Sequence, residues 1–292
     1  MALAPSLFFS CRYPLLPGRV GQFLFNTGIF MLFMGYLLLG AFAGMLAGLF
    51  GIGGGLIIVP VLVMTFRAQG IDPEIITHLA LGTSLPTMIF TGFSSLRAHR
   101  EAGAVDWVMI RRLGAGMLIG GWLGGMTANL LSTSTLNIII GCFAWSMALQ
   151  MGLNLKPTAE RHMPGPLGTG IAGTIIGWMS ALFGIGGGSL TVPYLSWNSV
   201  PMRNAVAASA ACSMPIALAG SLSYLYAGWD HADLPEWSVG YIYLPALLGI
   251  VLTSTQFARI GAKLAHRLSP TRLKQAFALL MLLVGAKFML FS

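Results

Sequence analysis

"LFGIGGGLIIVP" (Leu49 to Pro60) and "LFGIGGGSLTVP" (Leu182 to Pro193) are near copies of one another, 133 positions apart. Each places four glycines inside an apolar stretch where a membrane-crossing helix is expected. A helical glycine costs about 1 kcal/mol relative to alanine, so a continuous helix through Gly51, Gly53, Gly54 and Gly55, or through Gly184, Gly186, Gly187 and Gly188, is disfavoured. The prolines that follow, Pro60 and Pro193, suit a break and a fresh helix start. Close helix packing also uses small residues spaced by four, as at Gly44 and Gly48, but it does not require three consecutive glycines with a proline after them. Irregular backbone at membrane depth is tolerated only where protein covers it or it lines a cavity. A helix restarting at Gly55 or Gly188 turns unpaired N–H groups and its positive end into the protein, which is a preformed site for an anion.

The rest of the chain fits a bilayer. Of 292 residues, 56% are hydrophobic and 8% charged, against about a quarter charged in soluble domains. Apolar segments run roughly over 29–66, 78–97, 107–131, 135–153, 167–197, 205–227, 239–262 and 273–291, most near the roughly 20 residues a spanning helix needs. The expectation is an all-α, multi-pass protein of the cell (inner) membrane. The net charge of +8 comes from cations scattered between apolar segments, which sets orientation rather than binding nucleic acid. Cys11, Cys142 and Cys212 lack paired spacing, so neither a disulfide framework nor a metal site is expected. The N-terminal stretch does not read as a cleaved signal peptide.

The glycine motif marks two homologous halves. "LALGTSLP" at 79–86 resembles "AVAASAACSMP" at 205–215, and "LLSTSTL" at 130–136 lines up with "RLSPTRL" at 267–273. The expected organisation is a tail at 1–28, a first transmembrane repeat at 29–153, a linker at 154–166 and a second repeat at 167–292. Each repeat holds one glycine-broken helix and three ordinary spans. Basic loops near 97–112, 154–166 and 259–274, with Arg203 alone in its loop, are assigned to the cytoplasm; the loops with Asp72 and Glu74, and with Asp230, Asp233 and Glu236, lie opposite. Because Lys156, Arg161 and Arg203 flank the second glycine segment, that segment reads either as a returning hairpin, which makes the halves inverted copies, or as a kinked full span in two parallel halves.

The motifs "GLFGIGGGLIIVP" at 48–60, "ALFGIGGGSLTVP" at 181–193, "ALGTS" at 80–84 and "PIALAGSLSYLYAGW" at 215–229 resemble the sulfite exporter family known as TauE/SafE. The resemblance implies a membrane transporter of sulfite or a small organosulfonate, commonly an exporter, with no catalytic residues and no cofactor. One departure bears on the site: the first half has Gly82, Thr83 and Ser84 where the second has Ala207, Ala208 and Ser209. If relatives use the threonine hydroxyl in both halves, this chain has unequal half-sites.

The substrate-binding candidates are Gly53, Gly54, Gly55, Thr83, Ser84, Gly186, Gly187, Gly188, Ser189, Ser209 and Ser213. For each hydroxyl, a bond back to a helix carbonyl competes with that role, as it does for Thr87. Tyr224 and Tyr226 are candidates for pathway, core or interfacial belt. His78, Arg203 and Asn204 are candidates for a gate or cavity mouth, and Arg97 for attracting an anion. All eight Asp and Glu lie in loops or at span ends, which argues against a buried carboxylate relay; proton coupling would run on the substrate or through a histidine such as His78. The expected function is an alternating-access anion carrier that contacts substrate and lipid and is compatible with a homodimer. The alternatives are an anion channel and a carrier of another small oxyanion or a carboxylate. A membrane enzyme would need a nucleophile, metal cluster or acid–base pair at span depth, and the sequence offers none.

Overall fold

The computed structural model describes residues 19–50, 54–101, 107–152, 163–265 and 270–290. Within them the chain forms ten helices: α1 (Arg19–Phe50), α2 (Gly55–Ala68), α3 (Ile76–Glu101), α4 (Trp107–Asn129), α5 (Thr133–Gly152), α6 (Pro166–Leu182), α7 (Gly188–Trp197), α8 (Met202–Ala227), α9 (Leu244–Ala265) and α10 (Pro270–Leu290). One two-stranded hairpin, β1 (Ser238–Val239) and β2 (Ile242–Tyr243), separates α8 from α9. The all-α membrane reading holds. Among the described residues three helices are long and apolar enough to cross a bilayer, at Phe30–Gly48, Asn204–Ala227 and Leu244–Gly261. In α4, glycines and two arginines dilute the hydropathy, yet its outer face, with Leu118, Ile119, Trp122 and Leu123, is apolar and exposed.

Both glycine stretches interrupt the helix. Gly184 sits in the left-handed region (φ +62°), where a side chain is strained. It closes α6 in the way left-handed glycines end helices: its N–H donates to the Ala181 carbonyl (3.2 Å) and the Ile185 N–H to the Ser180 carbonyl (2.9 Å). The chain then restarts at Gly188. In the first copy Gly54 is left-handed (φ +79°) and directly precedes α2. At this break the chain doubles back: the amide of Gln69, at the far end of α2, donates to the Tyr36 hydroxyl of α1 (2.7 Å).

Glycine also sets how the long helices meet. On α4, a methyl at Gly120 would lie 2.7 Å from the Trp178 nitrogen of α6, and one at Gly124 would lie 2.9 Å from Ala181 Cβ. On α1, a methyl at Gly40 would lie 2.7 Å from Ile250 Cα of α9. These are backbone-to-backbone approaches, the means by which helices associate in lipid, where no hydrophobic force separates helix from tail. Position numbers rise together along each pair, so α4 runs parallel to α6 and α1 parallel to α9. Further neighbours include α4 with α8, α3 with α8, α3 with α9, α5 with α10, α2 with α3, and α7 with α8. Exchanging α1–α5 for α6–α10 maps every one of these pairings onto another or onto itself.

Candidate functional site

The two breaks meet. A side chain on Gly55 would run into the Gly184 carbonyl and Met88 Cε and lie 3.1 Å from Ile185 Cα; one on Gly184 would lie 2.6 Å from Leu81, 2.9 Å from Ser84 Oγ and 3.0 Å from Val59. Gly54, Gly55, Gly186, Gly187 and Gly188 are all buried, Gly54 beside Ala47 of α1 and Gly187 beside Ile216 of α8. Gly53 lies outside the described residues.

The hydroxyl candidates divide by what they bond. Ser84 Oγ donates to its own helix at Leu81 (2.8 Å) and across the seam to the Gly184 carbonyl (3.1 Å), so it ties one half to the other's break. Thr87 donates to the Ser84 carbonyl (2.5 Å), Ser209 to Val206 (2.9 Å) and Ser213 to Ser209 (2.9 Å), all bonds within a helix. Thr83 Oγ1 accepts the backbone N–H of Tyr243 (2.9 Å). Gly82 beside it lets Tyr241 approach, since a methyl there would meet the Tyr241 carbonyl. "GTS" is therefore where the β1–β2 hairpin docks on α3, and the threonine satisfies a strand amide that would otherwise be unpaired at depth.

Four buried hydroxyls of the second glycine segment, those of Ser180, Ser189, Thr191 and Tyr194, have no hydrogen-bond partner. Ser180 and Thr191 are fully buried and Ser189 nearly so. Ser189 and Thr191 lie in the first turn of α7, where the N–H groups of Gly188, Ser189 and Leu190 have no acceptor within the helix. A buried hydroxyl without a partner costs about 1–3 kcal/mol. Ser189 was among the sequence candidates; Ser180 and Thr191 were not. The signal for Thr191 was present: where the first copy reads Leu56 and Ile58, the second reads Ser189 and Thr191.

The end of the molecule that carries the acidic loops opens into a cavity of about 540 Å³ lined by residues including Arg67, Glu74, His78, Asn137, His231 and Tyr241. His78 is one of its buried walls, with Nε2 facing the carbonyls of Ala128 (3.0 Å) and Leu131 (3.2 Å) at the end of α4. Its ring thus fastens the α4–α5 turn while bordering the cavity, and Thr133 Oγ1 beside it donates to the Glu74 carbonyl. Asn204, half-buried, lies in the first turn of α8 at the opposite end, and the Arg203 side chain lies outside the described residues. Arg97 is exposed on α3. Tyr224 is core, fully buried with its hydroxyl donating to the Ala181 carbonyl (3.3 Å). Tyr226 is exposed against Trp122, an interfacial pairing. Among the described residues no group of acidic, histidine or cysteine side chains is placed to hold a metal.

Comparison with known proteins agrees with this architecture. The family model described as "Sulfite exporter TauE/SafE" matches residues 36–288. A probable membrane transporter protein of Haemophilus influenzae is 37% identical over 250 residues, covering 85% of this chain and 95% of that one. Another, of Methanocaldococcus jannaschii, is 27% identical over 82% of this chain and 88% of its own. The probable membrane transporter YunE of Bacillus subtilis is 26% identical over 88% of this chain and 97% of its own. No solved structure matches. With the family model spanning both glycine motifs and the helices that pack on them, the chain belongs to the sulfite exporter TauE/SafE family of membrane transporters.

Proposed function

We propose that this protein is a carrier that moves sulfite or a small organosulfonate across the cell (inner) membrane, binding the anion where the two interrupted helices meet. The observation that carries the reading is the row of unpartnered buried donors at the start of α7: the Ser189 and Thr191 hydroxyls beside the first-turn amides that follow Gly187. Such a donor set repays its burial only when an acceptor arrives, and an oxyanion offers several acceptor oxygens to one helix end.

The halves are inverted copies, each with a returning hairpin. α1 and α2 enter from the end that carries the acidic loops and turn back at Gly54. α6 runs parallel to α4, whose last turn reaches His78 at that same end, so α6 starts from the other; α8 then climbs back to it, where the Tyr224 carbonyl accepts the Tyr241 N–H. α7, joined to α8 by a short turn, has therefore returned to the side from which α6 came. The two hairpin tips meet from opposite sides, as in carriers that hold substrate at the midplane. The seam is closely packed and the cavity opens on one side of it, so the anion reaches the α7 donors when one half tilts against the other. Positive-inside loops place the cavity on the extracytoplasmic face. The unpartnered hydroxyls at the start of α7 lie in the second half, at positions where the first copy has Leu56 and Ile58, so the second repeat supplies most of the grip.

The test is counter-flow in proteoliposomes against sulfite, methanesulfonate, sulfate, thiosulfate and acetate, with and without a pH gradient. Saturable exchange of sulfite or methanesulfonate in preference to acetate is expected. Acetate transport equal to or above that of the sulfur oxyanions, or none at all, would overturn the assignment.

A further inference from the structure

The cavity at the acidic-loop end has a feature that the helix breaks do not explain. Arg67, in the last turn of α2, lines it together with Asn137 of α5, and the same two residues line a smaller adjoining pocket of about 20 Å³ with Pro60, Val63, Lys287 and Phe288. Arg67 of α2 and Lys287 of α10 face the same small pocket. Two cations from different helices thus converge on one neutral amide. Thr77, itself fully buried, donates to Asn137 Oδ1 (2.8 Å), which fixes that amide and leaves its NH₂ donors for an occupant of the cavity. The acidic group that shares the lining is Glu74, which is exposed at the rim. Volume separates the two spaces: the smaller holds about one water, whereas the larger admits a sulfur oxyanion with part of its hydration.

We infer that Arg67, Lys287 and the Asn137 amide form a second anion site, in which a small oxyanion waits in the cavity before the seam opens. The inference rests on the carrier reading above and adds to it a capture step outside the helix-break site. Arg67 supplies a planar fork that matches two oxygens of a sulfite or sulfonate, Asn137 a neutral donor, and Lys287 a charge that draws the anion inward from behind. The chemistry is that of a tetrahedral or pyramidal oxyanion, which a lipid phosphate also presents, so the bilayer composition is part of the test.

The experiment is calorimetric titration of sulfite and methanesulfonate into the full-length protein in phosphatidylcholine nanodiscs, repeated with phosphatidylglycerol in the bilayer. R67Q/K287Q is expected to weaken binding at least tenfold and N137L about threefold or more, while R67K, which keeps the charge but loses the fork, falls between the parent protein and R67Q/K287Q. The parent's affinity is expected to fall as salt rises, and that dependence to flatten in R67Q/K287Q. Unchanged affinity in R67Q/K287Q, or no saturable binding by the parent protein in phosphatidylcholine, would overturn the inference. Competition by phosphatidylglycerol strong enough to abolish sulfite binding would assign the site to lipid and overturn it too. Binding that depends on these residues in a protein without sulfite or sulfonate exchange would leave this site standing and remove the carrier assignment instead.

Discussion

Gly55 of the first glycine motif faces the backbone carbonyl of Gly184 in the second, with no room between them for a methyl group. The duplicated motif is thus one joint made of two parts: the bare Cα of Gly55 admits the backbone of Gly184, and that of Gly184 admits the side chains of Leu81, Ser84 and Val59. Gly55→Ala is expected to destabilise the protein by roughly 1–3 kcal/mol through overpacking. Gly184→Ala adds the left-handed penalty of about 1–2 kcal/mol to its contacts with Leu81 and Ser84. Gly170→Ala is the contrast: it meets nothing within 4 Å and gains up to about 1 kcal/mol of helix propensity. Thermal unfolding of the purified protein in detergent checks the order; equal melting temperatures for the three variants would refute it.

Thr191 separates a binding role from a structural one. Its hydroxyl is fully buried and unpartnered, so Thr191→Val removes an unsatisfied group while keeping the shape. The melting temperature is expected to hold or rise, since such a group costs about 1–3 kcal/mol, while sulfite exchange falls about tenfold or more. Loss of stability with exchange intact would show that the hydroxyl serves the fold. Ser189→Ala is expected to behave in the same direction.

The sequence disclosed the breaks, because glycine's helix cost is local, and it disclosed the repeat, because both copies keep the same fragment. It did not disclose the β1–β2 hairpin: "WSVGYIY" is too short for a periodic signal, and its place is fixed by a distant partner, the Thr83 hydroxyl. That hairpin bears on the difference between Gly82, Thr83 and Ala207, Ala208, which the sequence read as unequal half-sites if relatives use the threonine in both halves. Exchanging the halves replaces the long connection that carries the hairpin, between α8 and α9, by the short one between α3 and α4. That short connection, residues 102–106, lies outside the described residues, and Ala207 and Ala208 stand opposite Gly82 and Thr83. The cavity around Arg67 was equally hidden, because Arg67, Asn137 and Lys287 come from three helices with no shared motif.

Thr83 then yields a prediction about the fold and not about transport specificity. Thr83→Val leaves the Tyr243 N–H without its acceptor in a partly buried setting, at a cost of about 1–3 kcal/mol. Thr83→Ser keeps the oxygen and is expected to stay within about 0.5 kcal/mol of the parent protein. Urea or thermal unfolding checks both. A valine variant of unchanged stability with altered anion preference would return Thr83 to the substrate.

The proposed inverted arrangement makes a prediction about sides that hydropathy alone does not. In a variant without Cys11, Cys142 and Cys212, single cysteines at Asp72 and Asp233 are expected to react with an impermeant maleimide from outside the cell, and those at Ser199 and Glu160 only after the membrane is opened. The Ser199 and Glu160 pair is decisive, because these positions flank α6 and α7. Two short arms, of 17 and 10 residues, measure about 25 Å and 15 Å at 1.5 Å per residue, each less than the roughly 30 Å hydrocarbon thickness. End to end they would suffice for a full crossing, so length alone does not choose between the topologies. The parallel run of α6 with α4 and the return of α8 to the His78 end support the proposed returning hairpin, for which both labels are expected on one side. Reaction of Ser199 and Glu160 from opposite faces would make the second segment a kinked span, and the two glycine breaks could then no longer meet from opposite sides of the membrane.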